Sequence, residues 1–417
     1  MTARAKLRIA LSTYRGNPFS GGQGVYIRHL SKALAVLGHE VTVFSGQPYP
    51  ELHPEVELVR LPSLDLYRSD DPFRTPSRTD FRDRIDVLEF ATMCGAGFPE
   101  PLTFTLRLAR ELLRQPGRFD VVHDNQSLGY GLLRLQRAGL PVLATVHHPC
   151  SIDRDIELSH AHGWKRKLSL RRWYAFTRMQ ARVARRLPRL LAVSEFARSD
   201  VTAGFGIDPS RIDVVHNGVD TELFRPGPGD ASVPGRIITT ASADVPLKGL
   251  SYLIEAVAKL RTERADAHLV VVGRAPERGP VARAIDRFGM RDAVRFETEI
   301  GWDRLVELYH QAQVAVVPSL YEGFSLPAVE AMACGTPLVA TDAGALPEVV
   351  GTDRGGALLV PSGDAGAMAS AIEELMDDAR LRARLGAAAR DRVLERFTWR
   401  NSAERTVRLY EELISTC

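Results

Sequence analysis

The sequence predicts an α/β protein made of two doubly wound parallel-sheet domains. Three observations predict it. The chain has 417 residues, room for two domains. Short apolar, β-branched runs alternate with stretches of helical spacing, the βαβ pattern of a parallel sheet with helices on both faces. That alternation starts again near residue 236, after the Pro- and Gly-rich segment RPGPGDASVPG (225–235).

In the first series, LRIALS (7–12) reads as a strand, 24–37 as a helix and EVTVFS (40–45) as the next strand. Strands FDVVH (119–123), PVLATV (141–146) and LLAV (190–193) follow. Residues 65–104 are polar and Pro-containing, and read as an irregular excursion from the first domain. The second series supplies RIITT (236–240), HLVVVG (268–273), VAVVP (314–318), PLVA (337–340) and ALLV (357–360) as strands. Met368, Ile372, Leu375, Leu381, Leu385 and Val393 then keep helical spacing. The chain is expected to cross between domains at about 205–218.

Composition narrows the class. Hydrophobic content of 45% and charged content of 25% are ordinary for a globular protein. No run reaches the roughly 18 apolar residues of a membrane span, and the N-terminus lacks the apolar core of a signal peptide. Cys94, Cys150, Cys334 and Cys417 show neither metal-ligand spacing nor a disulfide framework, which suits reduced thiols in the cytoplasm. Net charge is +3, unevenly placed: residues 165–189 hold ten Lys or Arg and no Asp or Glu. Trp164, Leu168, Trp173, Met179 and Val183 interleave with them. Two expectations stand for 164–189: a helix packing its apolar stripe on its own domain, or a peripheral contact with an anionic membrane. No nucleic-acid-binding motif accompanies the patch.

The most informative segment is Glu322-Gly-Phe-Ser-Leu-Pro-Ala-Val-Glu330. It follows the buried strand 313–318, with Ser325 as the expected N-cap and Pro327 in the first turn of a helix running to Cys334. A helix start at a strand's C-terminal end binds anions. Flanking carboxylates suit a phosphorylated sugar, whose hydroxyls they can accept. Two further features point the same way. The turn after strand 7–12 carries Gly21, Gly22 and Gly24, which let a backbone approach phosphate or acceptor closely. It lacks the third glycine of a dinucleotide fingerprint. Lys248, at a helix entry, can neutralise a diphosphate leaving group. Asp124 and Asn125 lie at another strand end and are candidates for the acceptor side. Asp153-Arg154-Asp155 spells D-x-D, but in a two-sheet pattern it reads as loop or helix-cap chemistry, so no metal ligand is assigned.

The segment EGFSLPAVEAMACGTPLVATDAGALPEVVG, with GGQGVYIRHL, THH, VVHNGVD, DVPLKG and FTW in this order, resembles the family-4 retaining glycosyltransferases of the GT-B fold. The resemblance covers most of the chain. It implies two Rossmann-like domains facing across a cleft, with the final helix returning to the first. The domains become 1–205 with 400–417 on the acceptor side and 206–399 binding a nucleotide sugar. It implies that Glu330 holds ribose hydroxyls and that Glu322 contacts hydroxyls of the transferred sugar. Backbone N–H groups of Gly323, Phe324, Ser325 and Leu326 would touch sugar or β-phosphate. A histidine after strand 141–146, His148 preferred over His147, would contact the donor sugar. Relatives carry an arginine about five positions before Lys248, where this chain has Ala241-Ser-Ala-Asp-Val-Pro. Ser242 and Arg274 are expected to substitute. The implied reaction is front-face transfer of a hexose from GDP-mannose, or next UDP-glucose, to a saccharide, polysaccharide or glycolipid acceptor, with no cofactor and no strict metal requirement. A nucleotide-sugar epimerase or a non-catalytic sugar-nucleotide-binding protein would be the alternatives.

Overall fold

The computed structural model describes residues 6–17, 22–68, 70–227, 229, 231–241, 245–275, 278–353 and 355–416. The chain divides into two compact units, Met1–Val215 with Ser402–Cys417, and His216–Asn401.

The first unit contains β1 (Arg8–Thr13), α1 (Gly22–Val36), β2 (Glu40–Ser45), β3 (Glu57–Arg60), α2 (Arg84–Cys94), α3 (Glu100–Leu113), β4 (Val121–Asn125) and α4 (Tyr130–Arg137). It continues with β5 (Val142–Val146), α5 (Cys150–His160), α6 (Trp164–Trp173), α7 (Phe176–Ala184), β6 (Arg189–Ala192), α8 (Glu195–Phe205) and β7 (Ile212–Val214). All neighbours in its sheet are parallel, in the order β3-β2-β1-β4-β5-β6-β7. Central strands read as unbroken buried runs because helices cover both faces: every residue of β4 and β5 is buried. The observed change of unit, after Val215, lies within the 205–218 crossing expected from the sequence and ten residues beyond the 205/206 domain bound. Pairing of β7 with β6 keeps the chain in the first unit until Val215.

The second unit contains β8 (Arg236–Thr240), α9 (Leu250–Leu260), β9 (His268–Val272), α10 (Pro280–Arg287), β10 (Val294–Glu297), α11 (Trp302–Gln311), β11 (Val314–Val317) and α12 (Leu326–Ala333). It is completed by β12 (Leu338–Thr341), α13 (Leu346–Val350), β13 (Leu358–Val360), α14 (Ala365–Asp377) and α15 (Ala379–Arg396). Its sheet, again parallel, runs β10-β9-β8-β11-β12-β13. Leu253, Ile254 and Val257 of α9 pack with Met368, Ile372 and Leu375 of α14 against Val314, Val316 and Val339 of the sheet. Helix α16 (Trp399–Ser415) begins in this unit and finishes in the first. Both sheets have the doubly wound order, with a reversal of winding between β1 and β4 and between β8 and β11.

Two expectations need correction. The 65–104 segment is not irregular throughout, since α2 occupies 84–94 under an Asp83 N-cap. Its buried positions are Asp86 and Glu89, both bound by Arg107 of α3. Ion pairs replace the apolar stripe that a periodicity search needs. The basic segment is not one amphipathic helix either. Its second half, α7, buries Met179 and Val183, whereas α6 buries Leu170 and leaves Trp164 71% and Leu168 43% exposed. Among the described residues no helix is long and apolar enough to cross a membrane.

Candidate functional site

In an open parallel sheet, ligands bind beyond the strand C-termini where the winding reverses. In the second unit that point lies between β8 and β11. Lys248 follows β8 in a short 3-10 turn, and Glu322 follows β11. Lys248 Nζ donates to Glu322 Oε1 at 2.8 Å, and Ser319 Oγ donates to the same oxygen at 2.7 Å. Glu322 is buried, contrary to an ordinary loop acid. Two glycines make this approach feasible. Gly249, at φ 66°, passes so close to Pro318 that a Cβ would strike its carbonyl oxygen. Gly344, at φ 59°, does the same against the backbone of Glu322.

Helix α12 starts beside this pair, and the expected cap at Ser325 is not formed. Ser325 sits at φ 86°, ψ 85° and its side chain makes no cap bond. Its hydroxyl is buried with no hydrogen-bond partner among the described residues. A strained backbone and an unsatisfied buried hydroxyl are features that functional sites concentrate. Phe324 turns inward onto His216 and Phe397, so this residue offers a ligand its backbone alone. Gly323 and Leu326 are half-buried on either side.

One turn into α12, Glu330 is buried, and burial pushes its carboxyl up to about 7. Tyr309 of α11 donates to Glu330 Oε2 at 3.3 Å, and its hydroxyl is also 3.0 Å from that of Thr240 at the end of β8. Tyr309 carries no motif and was not singled out in the sequence. Arg274 is exposed just past β9, the strand next to β8. Ser242 lies outside the described residues.

The first unit shows its own cluster where β1, β4 and β5 end. Gly21 lies outside the described residues. Gly22 opens α1 with no described residue near the place a Cβ would take, while Gly24 is required for packing against the backbone of Asn17. Asp124 and Asn125, expected on the acceptor side, are both fully buried. Asp124 accepts from Ser12 Oγ and the Leu128 N–H, fixing a loop in which Gln126 and Leu128 both adopt positive φ. Asn125 donates to the Gln23 carbonyl, and its Oδ1 lies 2.7 Å from His147 Nε2. His147 packs edge-on against Tyr26, and burial, with His148 beside it, lowers its pKa to about 3, so it is neutral. His148 is more open, 2.9 Å from an Asp153 oxygen in the first turn of α5. Asp155 instead binds its neighbour Arg154, so the D-x-D carboxylates act separately. His123, unassigned by sequence, is buried with its ring nitrogens 2.6 Å from the hydroxyls of Tyr410 and Thr145.

Known proteins share this sequence pattern and this fold. Residues 20–223 match the family described as Glycosyltransferase Family 4, and residues 230–392 match Glycosyl transferases group 1. An "MMP alpha-(1->4)-mannosyltransferase" of Mycolicibacterium hassiacum is 51% identical, over 98% of this chain and 99% of its own length. The chain belongs to the family-4 glycosyltransferases. A family-4 glycosyltransferase is an enzyme, so the epimerase and non-catalytic alternatives fall away. The fold is that of solved GT-B chains. Sucrose-phosphate synthase of Thermosynechococcus elongatus superposes with a TM-score of 0.72 at 24% identity, covering 99% of this chain and 100% of that one. Anabaena HepE, solved with UDP and glucose, gives 0.70 at 18% identity, covering 97% and 99%. For this glycosyltransferase, the sequence signals for Glu322, Glu330 and Lys248 were motif signals. Ser319, Tyr309 and Thr240 support them from positions that carry no motif.

Proposed function

We propose that this enzyme transfers mannose from GDP-mannose to a saccharide acceptor, forming an α-(1→4) bond with retention at the anomeric carbon. The observation that carries the transferase chemistry is the Lys248–Glu322 pair at the reversal point of the second sheet, beside the strained entry to α12. The half-identical α-(1→4)-mannosyltransferase supports mannose over glucose and the α-(1→4) linkage. UDP-glucose is the competing donor, since a fold neighbour was solved with UDP and glucose.

In this reading Glu330 accepts the ribose hydroxyls and Glu322 orients the sugar hydroxyls. Lys248, Arg274 and the amides from Gly323 to Leu326 stabilise the diphosphate as negative charge grows on it. By family resemblance alone, Gly22 and Ser242 are assigned to the donor phosphates and His148 to the transferred sugar. The bond from the anomeric carbon to the diphosphate oxygen breaks while the acceptor oxygen attacks from the same face. The acceptor proton passes to the departing phosphate oxygen. Fixed donors do the electrostatic work, so transfer continues in excess chelator.

The test is incubation with GDP-mannose or UDP-glucose, each with and without a mannoside acceptor. Acceptor-stimulated GDP release and an α-linked product by NMR are expected. A β-linked product or a preference for UDP-glucose overturns the reading.

We also propose that α6 gives the enzyme a peripheral hold on anionic membrane at the cytoplasmic face. Lys165, Arg166, Lys167, Arg171 and Arg172 are exposed on it with Trp164 and Leu168, and it carries no acid. Sedimentation with phosphatidylserine vesicles at low and physiological salt is the check. No binding at either salt ends this proposal.

A further inference from the structure

We propose that His148, Cys150 and Asp153 form a zinc site at the end of β5, through one imidazole nitrogen, one thiolate and one carboxylate oxygen. The three ligand atoms lie within 4.8 Å of one another. Small side-chain rotations would bring all three to the roughly 2.0–2.3 Å that zinc takes with nitrogen, oxygen and sulfur. A mixed N, S, O set suits zinc; magnesium and calcium take oxygen ligands. Thiolate and carboxylate together balance the divalent charge, and three protein ligands leave a fourth position open. Binding releases the thiol proton to solvent.

The surroundings hold these ligands in place. Gln126, buried at φ 58°, donates to Cys150 Sγ at 3.7 Å and to the His148 carbonyl at 2.7 Å. The same side chain accepts from the His147 N–H at 2.6 Å, and Gln180 donates to the Gln126 carbonyl. Outer bonds of this kind orient ligands before an ion arrives. The side chains of His148 and Asp153 are 36% and 38% exposed, so an ion has access from solvent. No Cys–Cys or Cys–His repeat announces the site. Its H-x-C-x2-D spacing acquires meaning only because Pro149 turns the chain into α5 directly after the strand.

Zinc ligation would withdraw from sugar contact the imidazole that the proposed function places there. The ion is therefore an inhibitor, and this consequence rests on the assignment of His148. The test begins with the chelator-treated full chain titrated with Co2+, a coloured stand-in for zinc. One equivalent should bind with thiolate-to-cobalt charge-transfer absorption, and Zn2+ should displace it. Cys150→Ser should lose the absorption, and Asp153→Asn should weaken Co2+ binding about 10–100-fold. Absence of the band in the wild type, its persistence in Cys150→Ser, or unchanged affinity in Asp153→Asn overturns the site. In transfer assays, a few-fold excess of Zn2+ over enzyme should inhibit the wild type and spare Cys150→Ser, whose metal-free rate matches wild type. Cobalt binding without zinc inhibition would uphold the metal site and refute the role of His148.

Discussion

Lys248 Nζ lies 2.8 Å from Glu322 Oε1, so the cation assigned to the leaving diphosphate is positioned by the carboxylate assigned to the sugar. Removing either member should disturb both tasks. Lys248→Ala and Glu322→Ala are each expected to lower kcat by about 10²–10³-fold, the scale of one lost preorganised donor. The double variant should lose less than the product of the two, because the residues act as a unit. Steady-state kinetics with GDP-mannose checks this; near-normal turnover in both single variants rejects the assignment.

Glu330 supplies a pH dependence of definite sign. Its carboxyl is raised to about 7 in the folded protein by burial, against about 4.3 in an unfolded chain. The folded state therefore holds a proton that the unfolded state has released, and stability falls as pH rises through that window. Glu330→Gln should match the wild type near pH 4 and melt higher than it above pH 7. Donor affinity should run the other way, weakening about tenfold per unit below pH 7 if the ribose needs the carboxylate. A flat binding profile by calorimetry would remove Glu330 from the donor site.

Gly249 and Gly22 separate folding from function. A methyl at Gly249 faces positive φ and the Pro318 carbonyl, so Gly249→Ala should cost about 1–3 kcal/mol and lower kcat by displacing Lys248. At Gly22 nothing among the described residues lies within reach of an added Cβ. Gly22→Ala should leave the urea midpoint unchanged and raise KM, since a ligand is the group it would crowd. An unchanged KM would show that this glycine meets no ligand.

Tyr410→Phe tests how α16 is fastened. The substitution leaves a buried His123 nitrogen without its partner, at a cost of about 1–3 kcal/mol. Urea unfolding followed by fluorescence should show a lowered midpoint. No change would make the contact dispensable.

The sequence revealed the central strands because their burial on both faces forces continuous apolar runs, as in VAVV at β11. It hid β3, β7 and β10, which are short strands at the sheet edges. Edge strands such as ELVR need only one protected side, so their composition stays mixed. The two glutamates and the lysine of the candidate site were visible because helix entry and charge are local properties. The inward turn of Asp124 and Asn125 was not, since it depends on loop dihedrals and on partners from β1 and α1. Ser325 misled for a related reason: the residue type favours a cap, but the chain enters α12 through a left-handed conformation.

Because Tyr410 completes the bonding of His123, the first unit is interrupted in the gene although it is compact in space. During synthesis, residues 216–401 form a contiguous stretch that can finish folding while the earlier unit still awaits its last helix. A nascent chain paused before residue 402 would lack the hydroxyl that meets His123, leaving the first unit unfinished until the last residues emerge.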